Sequence, residues 1–181
     1  MKHVFMAGAA GVGKDTVAQV LIDEYGFTRM AFADPIKASL EQINPFVTSS
    51  RRLRDYLVNG GWDFAKQNPE VRRLLQNTGM AFREKLWEDV WVQHLSERID
   101  DADGPVVVTD MRMPNEMQLA RELGGAVLVR LSRAHIDTGL GWRSHISERA
   151  LDGFDDNDFD LCIAGLWSPS HAAKLIAECA A

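Results

Sequence analysis

Cysteine is scarce in this 181-residue chain: only Cys162 and Cys179 occur, with no CxxC and no His/Cys ligand spacing. Neither a disulfide framework nor a structural zinc site is supported, and a reducing cytoplasm is the expected compartment. No apolar run approaches the roughly 20 residues that span a bilayer, and the short apolar stretch after Met1-Lys2-His3 is too brief for a signal-peptide core. A basic excess is also missing. Twenty Lys and Arg face 26 Asp and Glu, for a formal charge of −6, whereas general nucleic-acid binders carry surplus cations that displace counterions from phosphates. Neither membrane nor nucleic acid is therefore expected as a partner, and any cationic site must be local. What is present, 46% hydrophobic and 25% charged residues, fits one globular domain over 1–181.

Along the chain, short apolar runs alternate with helical spacing. His3 to Ala7 stops at Gly8, and Val17, Val20, Leu21 and Tyr25 then recur as on one helix face. Arg29 to Ala33 reads as a second strand, and Asp34-Pro35 opens a helix carrying Ile36, Leu40 and Ile43. From Asn44 to Asn68 the pattern weakens around Pro45, Arg51, Arg52, Arg54 and Gly60-Gly61, which predicts a mobile insert. Two helices follow, over Val71 to Asn77 and Ala81 to Ile99, the second with apolar residues at Phe82, Leu86, Val90 and Leu95. Val106 to Asp110 reads as a strand buried on both faces, Pro114 to Gly124 as a helix, Ala126 to Leu131 and Phe159 to Ala164 as strands, and Ser168 to Ala180 as a closing helix. Five strands alternating with helices predict an α/β doubly wound sheet, in which ligands gather at the carboxyl ends of the strands.

Gly8-Ala9-Ala10-Gly11-Val12-Gly13-Lys14 fits G-x-x-x-x-G-K, between a strand and a helix as the phosphate-loop mechanism requires. Small residues let successive backbone N–H groups curl around a phosphate, the helix N-terminus adds positive potential, and Lys14 can bridge β- and γ-oxygens. Ala9, Ala10, Gly11, Val12, Gly13 and Lys14 are therefore the expected ATP-binding residues. The position after the lysine, Ser or Thr in most such loops, is Asp15, with Thr16 next. Asp15 is the candidate metal ligand for Mg²⁺, direct or through water, and Thr16 a candidate phosphate contact.

Phosphoryl transfer needs cations around two anionic reactants. Lys37 lies one turn into the Asp34-Pro35 helix, where a solvated lysine is an equal reading. Either Arg72 or Arg73 can share a face with Gln76, and surface salt pairing explains both arginines equally well. Trp87 and Trp91, four apart, read more readily as core than as a base-stacking platform. Asp110 ends a buried strand, where it could organise Mg²⁺ or a substrate hydroxyl; Arg112 could meet phosphate, and Glu116 could cap its helix or pair charge. From Arg130 to Glu148, Arg130, Arg133, His135, Arg143 and His145 interspersed with Gly139 and Gly141 compose either a lid over ATP, placed at 132–150, or an ordinary polar loop.

With GAAGVGKDT, FADPIK, RRLLQNTG, LWEDVWVQ, VVVTDMRMPNEMQLARELGGAVLVRLSR and HISERALDGFDDNDFDLCI in order, the chain resembles the bacteriophage deoxynucleoside monophosphate kinase family over nearly its whole length. GKDT, unusual among phosphate loops, is usual there. The Asp110, Arg112, Glu116 arrangement and the His145, Ser147, Glu148 segment are further matches. The resemblance implies a P-loop, NMP-kinase-like three-layer fold with a five-stranded parallel sheet, ATP with Mg²⁺ at the glycine loop, and host cytoplasm as the setting. Lys14, Asp110 and Arg112 become the catalytic candidates, and Arg133 joins the ATP set. A deoxynucleoside monophosphate would be held by Lys37, Arg72, Arg73, Gln76, Gly79, Trp91, Asp110, Arg112 and Glu116. A homodimer is compatible with the family, although no isolated apolar stripe marks an interface. Competing readings are a kinase acting on dephospho-coenzyme A or phosphomevalonate, and a nucleotide-binding switch without a second small substrate.

Overall fold

A computed structural model describes residues 1–133, 150–151 and 153–181. The chain divides into two compact units, residues 1–31 with 92–181, and residues 32–91.

The first unit carries the sheet. Its strands are β1 (Val4–Ala7), β2 (Thr28–Met30), β3 (Val106–Val108), β4 (Val127–Leu131) and β5 (Leu161–Ile163), all parallel in the order β2-β3-β1-β4-β5. Every residue of β1 and β3 is buried, as expected of parallel strands covered on both faces and written as continuous apolar runs. Helix α1 (Lys14–Tyr25) turns Val17, Ala18 and Leu21 inward. The last helix, Pro169–Ala180, packs against α1 and buries Ala172, Ala173, Ile176, Ala177 and Ala180. Ser168 caps it by accepting from the His171 N–H, and Lys2 N–H donates to the Ala180 carbonyl at 2.8 Å, tying the two ends of the chain together.

The second unit is helical: α2 (Asp34–Ile43), α3 (Leu53–Leu57), α4 (Gly61–Ala65) and α5 (Pro69–Lys85), with Val90 and Trp91 at the start of α6 (Val90–Asp100). The 44–68 stretch expected as a mobile insert thus contains two short helices, with Leu53 and Ala65 fully buried. The remaining helices are α7 (Pro114–Glu122) in the first unit and Pro169–Ala180, which is α8.

Sequence and structure part company along α5. The sequence predicts a gap between Asn77 and Ala81, yet α5 continues to Lys85 and the interruption comes at 86–89. Gly79 serves close packing instead: a Cβ there would stand 3.1 Å from Ile36 Cδ1, and its carbonyl accepts the Trp91 indole N–H at 3.0 Å. The periodicity also misassigned several apolar side chains. Leu95 is buried, but Ile43, Phe82, Leu86 and Trp87 are exposed. Of the two tryptophans only Trp91 is core, its ring 5.2 Å from that of Phe82.

Candidate functional site

β1 is flanked by β3 and β4, so whatever follows its carboxyl end sits in the middle of the sheet's ligand edge. The glycine loop occupies that place. Val12 is buried and anchors the loop, while Ala9, Gly11, Asp15 and Thr16 are exposed and Ala10 and Gly13 half-buried. Val12 N–H donates to the Ala9 carbonyl at 3.2 Å, closing a tight turn before α1 begins at Lys14.

Lys14 is 92% buried, its ammonium donating to the carbonyls of Gly8 at 2.5 Å and Ala9 at 3.0 Å. Burial disfavours the charged form and pushes its pKa down to about 8; Arg112 pushes in the same direction, and Asp15 and Asp110 oppose it. Those influences place Lys14, Arg112, Asp15 and Asp110 in one electrostatic neighbourhood at the carboxyl ends of β1 and β3. Two carboxylates and two cations around a loop of backbone N–H groups can hold a phosphate chain together with a hard cation.

The strand-to-helix turn after β3 is built by Glu116. This carboxylate is buried, and its Oε2 accepts from the backbone N–H groups of Arg112 at 2.7 Å and Met113 at 3.1 Å, across the first turn of α7. This is the capping expected of Glu116, and it fixes the backbone from which Arg112 projects. Glu116→Ala should lower unfolding stability by about 2–3 kcal/mol, because two donors lose a charged acceptor. Urea denaturation checks this, and an unchanged midpoint would show that water replaces the carboxylate at no cost.

Arg133, the residue carried into the ATP set, lies beside the loop. Its guanidinium stacks 4.0 Å from the ring centroid of Trp167, and its Nη2 donates to the Trp167 carbonyl at 3.2 Å. Trp167 escaped the sequence reading. Its surroundings, Gly-Leu-Trp-Ser-Pro after the last strand, contain only a helix-start signal, and nothing in one sequence reveals which arginine a tryptophan will carry. Arg130, by contrast, belongs to the scaffold: it stacks over Phe159 at 4.2 Å and bonds to the Phe154 carbonyl at 2.8 Å and to Asp156 at 3.1 Å. The remaining lid candidates, His135, Gly139, Gly141, Arg143 and His145, and the Ser147-Glu148 match lie outside the described residues.

The other candidates belong to the second unit. Lys37 is half-buried in α2, 3.7 Å from Asp34. Along α5, half-buried Arg72 and Gln76 and buried Gly79 form one stripe at i, i+4 and i+7. Arg73 points away from that stripe into solvent, with its Nε and Nη2 forked onto the two carboxylate oxygens of Glu70 at 2.7 and 2.6 Å. That bidentate pair keeps the Glu70 carboxyl below its ordinary range. Trp91 is buried, and its one polar group is engaged by Gly79.

Together, the parallel sheet and the central glycine loop with its buried lysine define a P-loop protein with the fold of small kinases. The gluconokinase of Sinorhizobium meliloti 1021 aligns with 99% of this chain and 91% of its own at a TM-score of 0.51 and 15% identity, a likeness of fold. No family model matches the chain. A protein of Acanthamoeba polyphaga mimivirus named "Putative deoxynucleotide monophosphate kinase" is 26% identical over 177 residues, covering 86% of each chain.

Proposed function

We propose that this chain is an ATP-dependent kinase that phosphorylates a deoxynucleoside monophosphate. The observation that carries the reading is the glycine loop with Lys14 buried against it and Asp110 and Arg112 in its field. The mimivirus relative supports the choice of acceptor.

In this reading the loop N–H groups and Lys14 hold the donor's phosphates, and Arg112 holds the acceptor phosphate. Lys37, Arg72 and Gln76 are assigned to the acceptor nucleotide; Arg73, forked onto Glu70, contributes less than Arg72. An oxygen of the acceptor phosphate forms a bond to the γ-phosphorus as the bond from that phosphorus to the β,γ-bridging oxygen breaks. The electron pair leaves with ADP and the product is the deoxynucleoside diphosphate. The nucleophile is already anionic, so no side chain need remove a proton, and the protein's contribution is alignment and charge neutralisation. The exposed oxygens of Asp15 and Thr16 with the carboxylate of Asp110 are hard donors of the kind that suits Mg²⁺. That ion would neutralise charge on the β- and γ-phosphates.

The reading is tested by ADP formation in the presence of Mg²⁺ with dGMP, dTMP, dCMP and dAMP added singly, against a control without acceptor. Acceptor-dependent ADP together with a deoxynucleoside diphosphate establishes the kinase and names its base; background turnover with all four overturns it.

The lowered pKa of Lys14 has a second measurable consequence. In the unliganded fold this ammonium loses its proton from about pH 8, against an ordinary value of 10.5. Bound phosphate favours the charged form, so above about pH 8 binding must take up a proton, and nucleotide affinity should fall toward tenfold per pH unit. Below pH 8 it should be flat. Titration calorimetry at pH 9 in buffers of different ionisation heat should register uptake approaching one proton, absent from Lys14→Ala. Stability of the unliganded protein should move the other way: the unfolded chain binds the extra proton between about pH 8 and 10.5, so folding is favoured as pH rises through that window.

A further inference from the structure

Trp167 follows β5, 9% exposed, and the transfer outlined above gives it no part. Its indole N–H donates to the Ser132 carbonyl at 3.0 Å, and its ring carries the Arg133 guanidinium at 4.0 Å. Arg133 completes the clamp by donating to the Trp167 carbonyl at 3.2 Å. Two consecutive residues leaving β4 are thereby fastened to one side chain.

The clamp sits at the phosphate loop. A Cβ built on Gly13 would stand 3.5 Å from the indole Cη2 and 3.8 Å from Arg133 Nη2, so ring and guanidinium both border the N-cap residue of α1. Among the described residues the clamp is also incompletely satisfied, because Arg133 Nε is buried and meets no hydrogen-bond partner there. Such an orphaned donor works against folding. An arginine stacked on a tryptophan, short of one acceptor and adjacent to a phosphate loop, is arranged for an anionic ligand rather than for the scaffold.

We propose that Trp167 is a positioning residue for the donor nucleotide: it holds the Arg133 guanidinium beside Gly13, so that the phosphate chain meets a cation already fixed in orientation. This rests on the nucleotide-binding part of the reading above. A free arginine would lose side-chain freedom on binding, and the indole removes that freedom beforehand.

The test is a double-mutant cycle read by ADP affinity in the full-length protein. Arg133→Ala should weaken ADP about 10- to 30-fold and Trp167→Met about 5- to 10-fold, whereas Trp167→Phe, which retains a ring under the guanidinium, should stay within about threefold of the parent. The double variant Arg133→Ala/Trp167→Met should bind no more weakly than Arg133→Ala alone, because the tryptophan acts through the arginine. Losses that multiply in the double variant, or parental affinity in Trp167→Met, overturn the proposal. Should Trp167→Met fail to fold, the cycle is run with Trp167→Phe, whose smaller loss must likewise vanish in the Arg133→Ala background. A folded parent protein that binds no ADP overturns the nucleotide reading and this inference together, whereas ADP binding without transfer to any deoxynucleoside monophosphate leaves the inference standing and removes only the acceptor assignment.

Discussion

Lys14→Ala should reduce acceptor-dependent ADP formation by about 10³-fold or more while leaving the protein folded. The two halves of that expectation have different physical origins. The catalytic loss arises because the lysine is the cation tethered inside the loop itself, and the charge it would neutralise grows on the leaving oxygen as the γ-phosphorus departs. The retained fold follows from the lysine's discomfort in the unliganded state. It is buried, its pKa has dropped to about 8, and its acceptors among the described residues are two carbonyls of its own loop. Removing it abolishes an unfavourable burial of charge, so the midpoint of thermal unfolding should be unchanged or higher. Parallel measurement of turnover and melting separates the cases. Near-normal turnover in a folded Lys14→Ala protein would remove the phosphate-transfer reading, and a collapsed fold would mean that the ammonium's bonds to Gly8 and Ala9 outweigh its desolvation.

The largest stability effect is expected from one methyl group at the first glycine of the loop. Gly8 has φ +144°, outside the usual range of L-residues, and a Cβ added there would lie 2.3 Å from the carbonyl oxygen of Leu131, the last residue of β4. That neighbour is backbone and cannot rotate aside as a side chain could. Relief requires β4, which pairs with all four residues of β1 through Val127 to Arg130, to move away from it at the ligand end. Gly8→Ala should therefore cost about 4 kcal/mol or more and abolish turnover. Gly11→Ala is the matched control: its φ of +78° is also left-handed, but among the described residues nothing beyond its chain neighbours lies within 4 Å of the added methyl. It should cost about 1–2 kcal/mol, the backbone penalty alone. Urea unfolding of the two variants decides the matter, since equal losses would show that the approach to Leu131 is not tight.

The acceptor-side candidates illustrate how far one-dimensional reasoning reaches. Helical spacing allowed either Arg72 or Arg73 to accompany Gln76, and only burial separated them: Arg72 lies half-buried on the Gln76 stripe, and Arg73 is occupied by Glu70 in solvent. The pattern separates two helices between Asn77 and Ala81, yet the first helix runs on through Gly79, where the space left by the missing side chain is filled by Ile36. Phe82 and Leu86 satisfied an amphipathic pattern and are nevertheless exposed, since a period identifies a face without identifying what covers it. Trp167 and Arg133 are 34 residues apart, and their stacking carries no local signature at all.

By itself the sequence determined the alternation of strands and helices, the glycine loop and its lysine after the first strand, and Asp110 just beyond the carboxyl end of β3. Each of these rests on contacts or conformations within a few residues: apolar runs buried on both faces, glycines where side chains cannot fit, and proline at helix starts. The tertiary structure alone decided the strand order that sets β1 between β3 and β4, the depression of Lys14's pKa by burial, the use of Glu116 as a cap beneath Arg112, and the clamp of Arg133 on Trp167. Those properties depend on which distant segments share a dielectric environment and a van der Waals surface, and a linear spacing rule contains no distance between elements.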